Sequence, residues 1–166
     1  MHTLETQRLR LRPLVADDAP FIIELLNDPD WIRFIGDRKV RTIEDACGYI
    51  DRTRAMYERH GVGSLLVEVK RTGEPAGITG LLRREGLDDA DIGFAFLPRF
   101  RGRGYAYEAA AACIDHGRRE LGFTRIVAIN SLDNEYSAKL LEKLGLRFEK
   151  IVTMPGATEE SRLYAT

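Results

Sequence analysis

The sequence predicts an α+β fold: one mixed, mostly antiparallel sheet with a single parallel β-α-β crossover and helices on both faces. Segments 64–70, 76–84 and 91–97 are apolar or β-branched and are separated by short polar turns, which is typical of an antiparallel meander. An alanine-rich segment, 105–120, then stands between strand 91–97 and a second apolar segment, 124–130. Because strand, helix and strand in this order form a right-handed parallel unit, the sheet should contain one parallel pair.

The N-terminal part of the chain is predicted to begin with a strand and a helix. Residues 8–12, RLRLR, alternate strictly between arginine and leucine, which indicates a half-buried strand. In the helix that follows, Asp17 or Asp18 is the expected N-cap, Pro20 suits the first turn, and Pro29 is the expected stop.

The remaining elements follow from the same signals. Segment 31–39, WIRFIGDRK, is aromatic and is expected to be irregular. A second helix should begin at Thr42 as its N-cap and close at Gly61. Near the C-terminus, the helix EYSAKLLEKLG should end at Gly145, and RFEKIVTM and RLYA should be strands. We therefore expect residues 1–166 to form a single domain, since this length suits one substantial core.

The alanine-rich helix has one smooth face. Its small residues recur at a spacing of three or four, which places them along one side. These residues are Ala106, Ala109, Ala110, Cys113 and Gly117. Such a face allows the helix to lie close to a sheet.

Composition excludes several functional classes. The net charge of −1 disfavours nucleic-acid binding through bulk charge. No run of eighteen apolar residues and no apolar signal segment is present, so we expect neither a membrane span nor secretion. Cys47 and Cys113 are far apart and near no other candidate ligands, so we expect no disulfide and no metal site. These observations predict a cytoplasmic protein.

The stretch FRGRGYAYEAA, residues 100–110, is the main candidate for a functional loop. It occurs once and is not a repeated basic tract, so an RNA-binding RGG segment is rejected. Dinucleotide spacing would put Tyr107 where a small residue is required, and no Gly-Lys-Ser/Thr of a nucleotide loop follows. A glycine loop at a helix N-terminus, flanked by Arg101 and Arg103, favours a pyrophosphate site. The alternative is a tight strand-to-helix turn with solvated arginines.

The sequence resembles the GNAT superfamily of acyl-CoA-dependent N-acyltransferases, and within it the RimJ/RimL-like branch. The superfamily motif Q/R-x-x-G-x-G/A is satisfied by the six residues Arg101, Gly102, Arg103, Gly104, Tyr105 and Ala106. GITGLL and DIGFAF resemble the central meander of the branch, and segment 134–149 resembles its N-x-x-S/A-x-x-L-x-E-K-x-G-F pattern. The similarity extends over nearly the whole chain, in the same order.

The resemblance implies acetyl-CoA as the acyl-donor cosubstrate and no metal. Its pyrophosphate would lie on the loop backbone from Arg101 to Ala106. The preceding strand would end in a bulge and splay from the next parallel strand, and the pantetheine arm would pair with the backbone of Phe96 and Leu97. These two residues could equally be core side chains. Asn134 matches a pantetheine contact of the branch and is also suited to cap a helix.

The resemblance also suggests groups for the chemistry. Many members have a tyrosine near the thiolate where this sequence has Leu141, which is a departure. Ser137 occupies a place where the branch often has serine, and its hydroxyl could donate a hydrogen bond to the sulfur. The alternative is an ordinary helix serine. Asp91 is the leading candidate for the base, with a solvated turn carboxylate as the alternative. Glu68, in an apolar strand, is the second candidate, and a base is unnecessary if the neutral amine is selected.

The acceptor pocket is expected to use the segment between the first two helices. Trp31 and Phe34 are its candidate residues, with a hydrophobic lid on the core as the alternative interpretation. The predicted function is transfer of an acetyl group to a primary amine, either a protein N-terminus or a small molecule, by a monomer or homodimer. A regulatory module of the same fold that binds acyl-CoA without turnover is the second hypothesis.

Overall fold

A computed structural model describes residues 2–166 as eight strands and five α-helices, together with two short 3₁₀ turns. The strands are β1 (Leu4–Glu5), β2 (Leu9–Arg12), β3 (Ser64–Val69), β4 (Pro75–Leu82), β5 (Ala90–Phe96), β6 (Ile126–Ser131), β7 (Arg147–Val152) and β8 (Ser161–Ala165). The helices are α1 (Ala19–Leu26), α2 (Pro29–Phe34), α3 (Ile43–His60), α4 (Tyr105–Arg119) and α5 (Glu135–Lys143). The predicted α+β fold class is confirmed.

All strands belong to one sheet in the order β1-β2-β3-β4-β5-β6-β8-β7. Every neighbouring pair is antiparallel except β5 and β6, which are joined through α4. This parallel pair is short, because only Ala90 with Ile126 and Asp91 with Val127 are in register. Beyond these two pairs the strands separate, and a cleft opens between the remainder of β5 and β6.

The small face of α4 packs closely on the sheet, as expected. Ala109 and Ala110 are fully buried, and Gly117 is also buried. A Cβ atom built at Gly117 would lie 2.5 Å from Cδ1 of Leu81 in β4, so the helix can approach this closely only with glycine there. α1 and α3 pack together and lie on the opposite face, so helices cover both sides of the sheet.

Two elements differ from the sequence prediction. The first helix ends before Pro29, as expected, but Pro29 is also the first residue of α2, which extends to Phe34 into segment 31–39 that was expected to be irregular. The Asp28 side chain accepts hydrogen bonds from the backbone N–H groups of Asp30 and Trp31, so a capped turn forms where proline fixes a suitable φ. The short strand β1 was also not predicted, and it pairs with β2 at the edge of the sheet.

Helix α3 has the predicted ends. The Thr42 side chain accepts the N–H of Asp45, and the Asp45 carboxylate in turn accepts the N–H of Thr42. Gly61 closes the helix with a φ of 72°. No helix within residues 2–166 is long and apolar enough to cross a membrane.

Candidate active site

The cleft between β5 and β6 has a volume of about 770 Å³. It begins where the parallel pairing ends, so its floor is formed by residues of both strands. Helices α2, α3 and α5 contribute the remaining walls. A cleft at the carboxyl end of parallel strands that diverge is a common place for a ligand.

The glycine loop lies at one end of this cleft. Gly102 and Gly104 have φ angles of 73° and 80°, which residues with a Cβ adopt at a cost. Gly104 is the N-cap of α4 and offers no side chain, so within residues 2–166 no side chain caps the first-turn N–H groups of this helix. Arg101 and Ala106 line the cavity beside them. Free N–H groups and the positive end of a 15-residue helix form a site for an anion.

Arg8, which the sequence analysis did not single out, holds this loop from outside. Its Nη1 donates to the carbonyl oxygen of Arg103 at 2.9 Å, and its Nε donates to Glu108 at 2.8 Å. The guanidinium lies 4.6 Å from the centre of the Tyr105 ring. The strict alternation of residues 8–12 showed only that Arg8 faces away from the core, since its partners are about one hundred positions distant in sequence.

The Arg101 side chain is engaged within the fold and does not provide a free positive charge. Its Nε donates to the carbonyl oxygen of Phe96 at 2.9 Å, and its Nη2 donates to Asp28 at 3.0 Å. Its Nη1 pairs with Asp30. Arg101 therefore connects the end of β5 to the start of α2. Arg103, in contrast, is exposed and lies over the ring of Phe100.

Replacing Arg101 with alanine should destabilise the protein, because the buried Asp28 carboxylate would lose its ionic partner. We expect a loss of about 1–3 kcal/mol in the free energy of unfolding, measured by urea denaturation. Arg103→Ala is the matched control and should change stability by less than about 0.5 kcal/mol. Equal effects of the two substitutions would contradict this role for Arg101.

Along β5, the backbone N–H and C=O groups of alternate residues point toward the cleft. The N–H of Leu97 donates to the carbonyl oxygen of Ala76 at 3.0 Å, and its own carbonyl accepts the N–H of Phe100. Both backbone groups of Leu97 are therefore used within the fold, so its backbone does not face the cleft as the resemblance implied. Since backbone direction alternates along a strand, the groups of Phe96 and Phe94 face away from β4 and toward β6.

The expected bulge at the end of β5 is not present. The pairs with β4 run in continuous register from Phe96 with Gly77 to Asp91 with Leu82. The splay from β6 that the resemblance implied is present nevertheless, because it results from the short parallel pairing alone.

Asp91 lines the cleft at the point where β5 and β6 separate, and it is only 1% exposed. It is not the solvated turn carboxylate considered as an alternative. Its Oδ2 pairs with Arg84, whereas Oδ1 has no hydrogen-bond partner within residues 2–166. Loss of water raises the pKa of Asp91 from 3.8 to about 6, although Arg84 acts in the opposite direction.

Glu68, the second candidate base, lies elsewhere. It is in β3, does not line the cleft, and pairs with Arg12 at 3.3 Å. Arg12 is therefore the ionic partner that a carboxylate in this strand needs, and the pair has a structural role. Glu68 has no access to a ligand in the cleft.

Asn134, Ser137 and Leu141 line the cleft from α5. Asn134 caps the helix, since its Oδ1 accepts the N–H of Ser137 at 3.1 Å. Ser137 is buried, and its Oγ accepts a hydrogen bond from Nδ2 of Asn130 at 3.3 Å. Leu141 is 1% exposed and presents only an apolar surface. Ser137 is thus not an ordinary surface serine of the helix.

Trp31 and Phe34, the predicted acceptor residues, both line the cleft. Trp31 is also a core residue, and its Nε1 donates to the carbonyl oxygen of Gly36 at 3.1 Å. An ion pair of 2.9 Å between Arg33 and Asp133 connects α2 to the loop before α5. Within residues 2–166, no group of three or more histidines, cysteines and carboxylates lies close enough together to hold a metal.

Comparison with known proteins agrees with this architecture. Residues 8–147 match the family described as Acetyltransferase (GNAT) domain. The uncharacterized N-acetyltransferase YoaA of Bacillus subtilis is 31% identical over 151 residues, with 90% of this chain and 85% of that protein covered.

Two solved structures have the same fold. An acetyltransferase from Agrobacterium tumefaciens superposes with a TM-score of 0.85 at 26% identity, covering 100% of this chain and 94% of that one. RimL, a ribosomal L7/L12 alpha-N-protein acetyltransferase in complex with coenzyme A, has a TM-score of 0.85 at 18% identity, covering 99% and 97%. Together with the domain match, the cleft and its loop lead to one conclusion: the chain belongs to the GNAT acetyltransferase family.

Proposed function

We propose that this protein transfers an acetyl group from acetyl-CoA to a primary amine by direct attack of the amine on the thioester. One observation carries the proposal: a single cleft joins an uncapped helix N-terminus at one end to a buried carboxylate with an unpartnered oxygen at the other. The first group suits a pyrophosphate and the second suits an amine that must lose a proton.

The residues present suit acetyl-CoA, which supplies the activated acetyl thioester when bound. The backbone N–H groups from Gly102 to Ala106 would hold the pyrophosphate, with Gly102 and Gly104 providing the turn. The backbone groups of Phe94 and the backbone N–H of Phe96 would hold the pantetheine arm, since the Phe96 carbonyl already accepts from Arg101. The same N–H groups of β5 are candidates to stabilise negative charge on the carbonyl oxygen. Asn134 would add a polar contact while it caps α5.

Asp91 is the proposed general base. With a pKa of about 6, it is ionised at neutral pH and is still a stronger base than an ordinary aspartate. Its free Oδ1 can accept a proton from the amine, directly or through water. Arg84 holds the other oxygen and fixes the direction of the carboxylate. Arg84 therefore positions the base, and the residues that bury Asp91 exclude bulk water from it.

Ser137 is the proposed hydrogen-bond donor to the leaving thiolate. Because Oγ already accepts from Asn130, its own proton is free to point elsewhere. A hydroxyl with an ordinary pKa stabilises a thiolate more readily than it protonates one. Leu141 cannot take this role, since it has no proton to donate.

Ser137→Ala should lower kcat by roughly 10-fold, which corresponds to the loss of one hydrogen bond to a charged group. KM for acetyl-CoA should change by less than about 3-fold, because the bond forms mainly as the thiolate departs. Steady-state kinetics with a thiol-reactive dye measures both constants. Ser161→Ala, in β8 and outside the cleft, is the control. An unchanged kcat for Ser137→Ala would remove Ser137 from the mechanism.

The acceptor is proposed to be a protein N-terminus or a small-molecule amine. The resemblance to the RimJ/RimL-like branch and to RimL itself supports the first. The burial of Asp91, which is 1% exposed, supports the second. The test is coenzyme A release on a panel of N-terminal peptides and small amines. If acetyl-CoA binds but no acceptor of the panel is acetylated, the regulatory module is supported instead. The leucine at position 141, where many members have tyrosine, also favours that hypothesis.

A further inference from the structure

The acceptor end of the cleft is rich in arginine. Four arginines line it: Arg38, Arg52, Arg83 and Arg84. They come from the segment after α2, from α3 and from the turn after β4, and no sequence pattern predicts any of them as a site residue. Their positions in sequence are too scattered to form a motif, so only the fold brings them together.

Three of these arginines lie at the wall of the cleft together with one phenol, that of Tyr49. The positive charges of Arg38, Arg84 and Arg52 act to lower the pKa of this phenol, but the effect of burial is larger. Burial raises the pKa of Tyr49, so the hydroxyl stays neutral and is available as a hydrogen-bond donor. Tyr49 itself lines the cleft. The three guanidinium groups and the phenol are referred to below as the Tyr49 cluster.

The positive charge of the Tyr49 cluster is only partly neutralised by the protein. Arg84 pairs with Asp91. The other two carboxylates that line the cleft, Asp28 and Asp30, both pair with Arg101 on the side of α2. Within residues 2–166, neither Arg38 nor Arg52 makes an ion pair with a carboxylate. The charges of Arg38 and Arg52, together with that of Arg83, which donates to the carbonyl oxygen of Asp88, therefore lie at the wall of a cleft whose negative charges are already matched.

Arg52 is accommodated by the residue one turn before it. A Cβ atom at Gly48 would lie 3.2 Å from Nη1 of Arg52. The guanidinium therefore lies back along α3 toward Gly48, and Arg52, although exposed, lines the cleft together with Tyr49. Glycine inside a helix costs about 1 kcal/mol relative to alanine. The space that Gly48 leaves is used to place a cation in the wall of the cleft.

We infer that the acceptor is a small amine that carries its own anionic group, a carboxylate, phosphate or phosphonate, and that Arg38 and Arg52 bind this group while the amine lies at Asp91. This inference rests on the proposed function and defines its substrate class. Guanidinium groups bind such anions through paired hydrogen bonds, and the neutral Tyr49 hydroxyl can add a third. A polyamine, in contrast, would meet like charges at this wall.

The test compares matched pairs of acceptors across variants. Each pair consists of an acidic amine and its neutral counterpart, namely amino acids with their amides and aminoalkyl phosphates with amino alcohols. The quantity measured is the ratio of kcat/KM values for acidic over neutral acceptor. We expect Arg38→Ala and Arg52→Ala each to lower this ratio by roughly 10- to 100-fold. Because the ratio is compared between variants, differences in amine pKa within a pair cancel.

Arg59→Ala is the matched control, since Arg59 is an exposed arginine of the same helix outside the cleft. It should leave the ratio of kcat/KM values unchanged. Arg52→Lys should keep part of the preference for the acidic acceptor, because lysine keeps the positive charge. A second arm measures melting temperature in saturating coenzyme A, where acidic amines should raise it in the parent and not in Arg38→Ala or Arg52→Ala. This arm tests anion binding even where turnover is too slow to detect. Peptides with an acidic second residue form a third arm.

The outcomes separate the two proposals. If neutral and acidic amines are turned over equally, and neither substitution changes this, the acidic acceptor is ruled out and the proposal of acetyl transfer remains. Acidic amines that shift the melting temperature in an Arg52-dependent way without turnover would support the anion site and count against catalysis. Acidic amines that neither bind nor react would overturn the inference. A preference for acidic peptides over small acids would overturn the small-molecule assignment.

Discussion

Asp91→Asn is expected to lower kcat by roughly 100-fold or more and, at the same time, to make the protein more stable at pH 7.5. The loss of rate follows from removing a general base, which typically contributes a factor of this size. The gain in stability follows from the position of the carboxylate. Asp91 is 1% exposed and carries a charge that folding takes out of water.

The size and sign of the stability change come from the pKa. In the folded protein the pKa of Asp91 is raised from 3.8 to about 6, so folding favours the protonated form. Two pKa units correspond to about 3 kcal/mol. This cost is absent below about pH 4 and fully present above about pH 6, so stability falls as pH rises through this window. Asparagine is neutral throughout, and the variant should lack this fall.

We expect Asp91→Asn to gain on the order of 1–3 kcal/mol at pH 7.5, or roughly 2 to 10 °C in melting temperature. Arg84 loses its partner in this variant but is 38% exposed and keeps contact with water. At pH 4 the melting temperatures of parent and variant should converge. In the parent, kcat should fall as pH decreases through about 6, because the base becomes protonated.

The measurements are calorimetry at the two pH values and a pH profile of kcat. Asp89→Asn, a partly exposed carboxylate two residues earlier, is the control and should change neither kcat nor stability to the same degree. A variant that keeps more than half of the parent kcat would show that the protein selects neutral amine and needs no base. A destabilised variant would show that the pairing with Arg84 outweighs the burial of charge.

Gly104→Glu is expected to abolish acetyl-CoA binding while the fold is retained. Gly104 is the N-cap of α4, and a Cβ atom there would lie 3.2 Å from Nη2 of Arg8. A carboxylate on this side chain would bring a negative charge to the helix N-terminus beside the anion site and would disturb the Arg8 contact that holds the loop, so the pyrophosphate would be repelled. The φ of 80° adds backbone strain of about 1 kcal/mol for any residue with a Cβ. We expect the rise in melting temperature that acetyl-CoA produces in the parent to disappear.

Two controls separate charge, strain and position. Gly104→Ala introduces the strain without the charge, so it should lower stability slightly and retain most of the binding. Gly122→Glu introduces the same side chain at a φ of 71°, in open space after α4, and should bind acetyl-CoA as the parent does. If Gly104→Glu binds acetyl-CoA as tightly as Gly122→Glu, the pyrophosphate does not lie on this loop.

The sequence by itself determined the order of elements, the parallel crossover, the glycine loop and the helix with the small face. Each depends on local chemistry: turn residues between extended segments, small residues at helical spacing, and glycines that adopt positive φ. The motif from Arg101 to Ala106 also identified the family that the domain match shows. These features can be predicted from sequence because each is determined by residues that lie close to it in the chain.

The tertiary structure decided which side chains are free to act. It placed the guanidinium of Arg101 in pairs with Asp28 and Asp30, although the sequence suggested a free charge beside the loop. It buried Asp91, which the sequence could equally have placed in a solvated turn. It also brought Arg38, Arg52 and Arg84, from three separate segments, to the wall of the cleft that Tyr49 lines. Burial and charge pairing depend on residues distant in sequence, so no local pattern contains them, and they decide the chemistry because they set the pKa and the charge that a ligand meets.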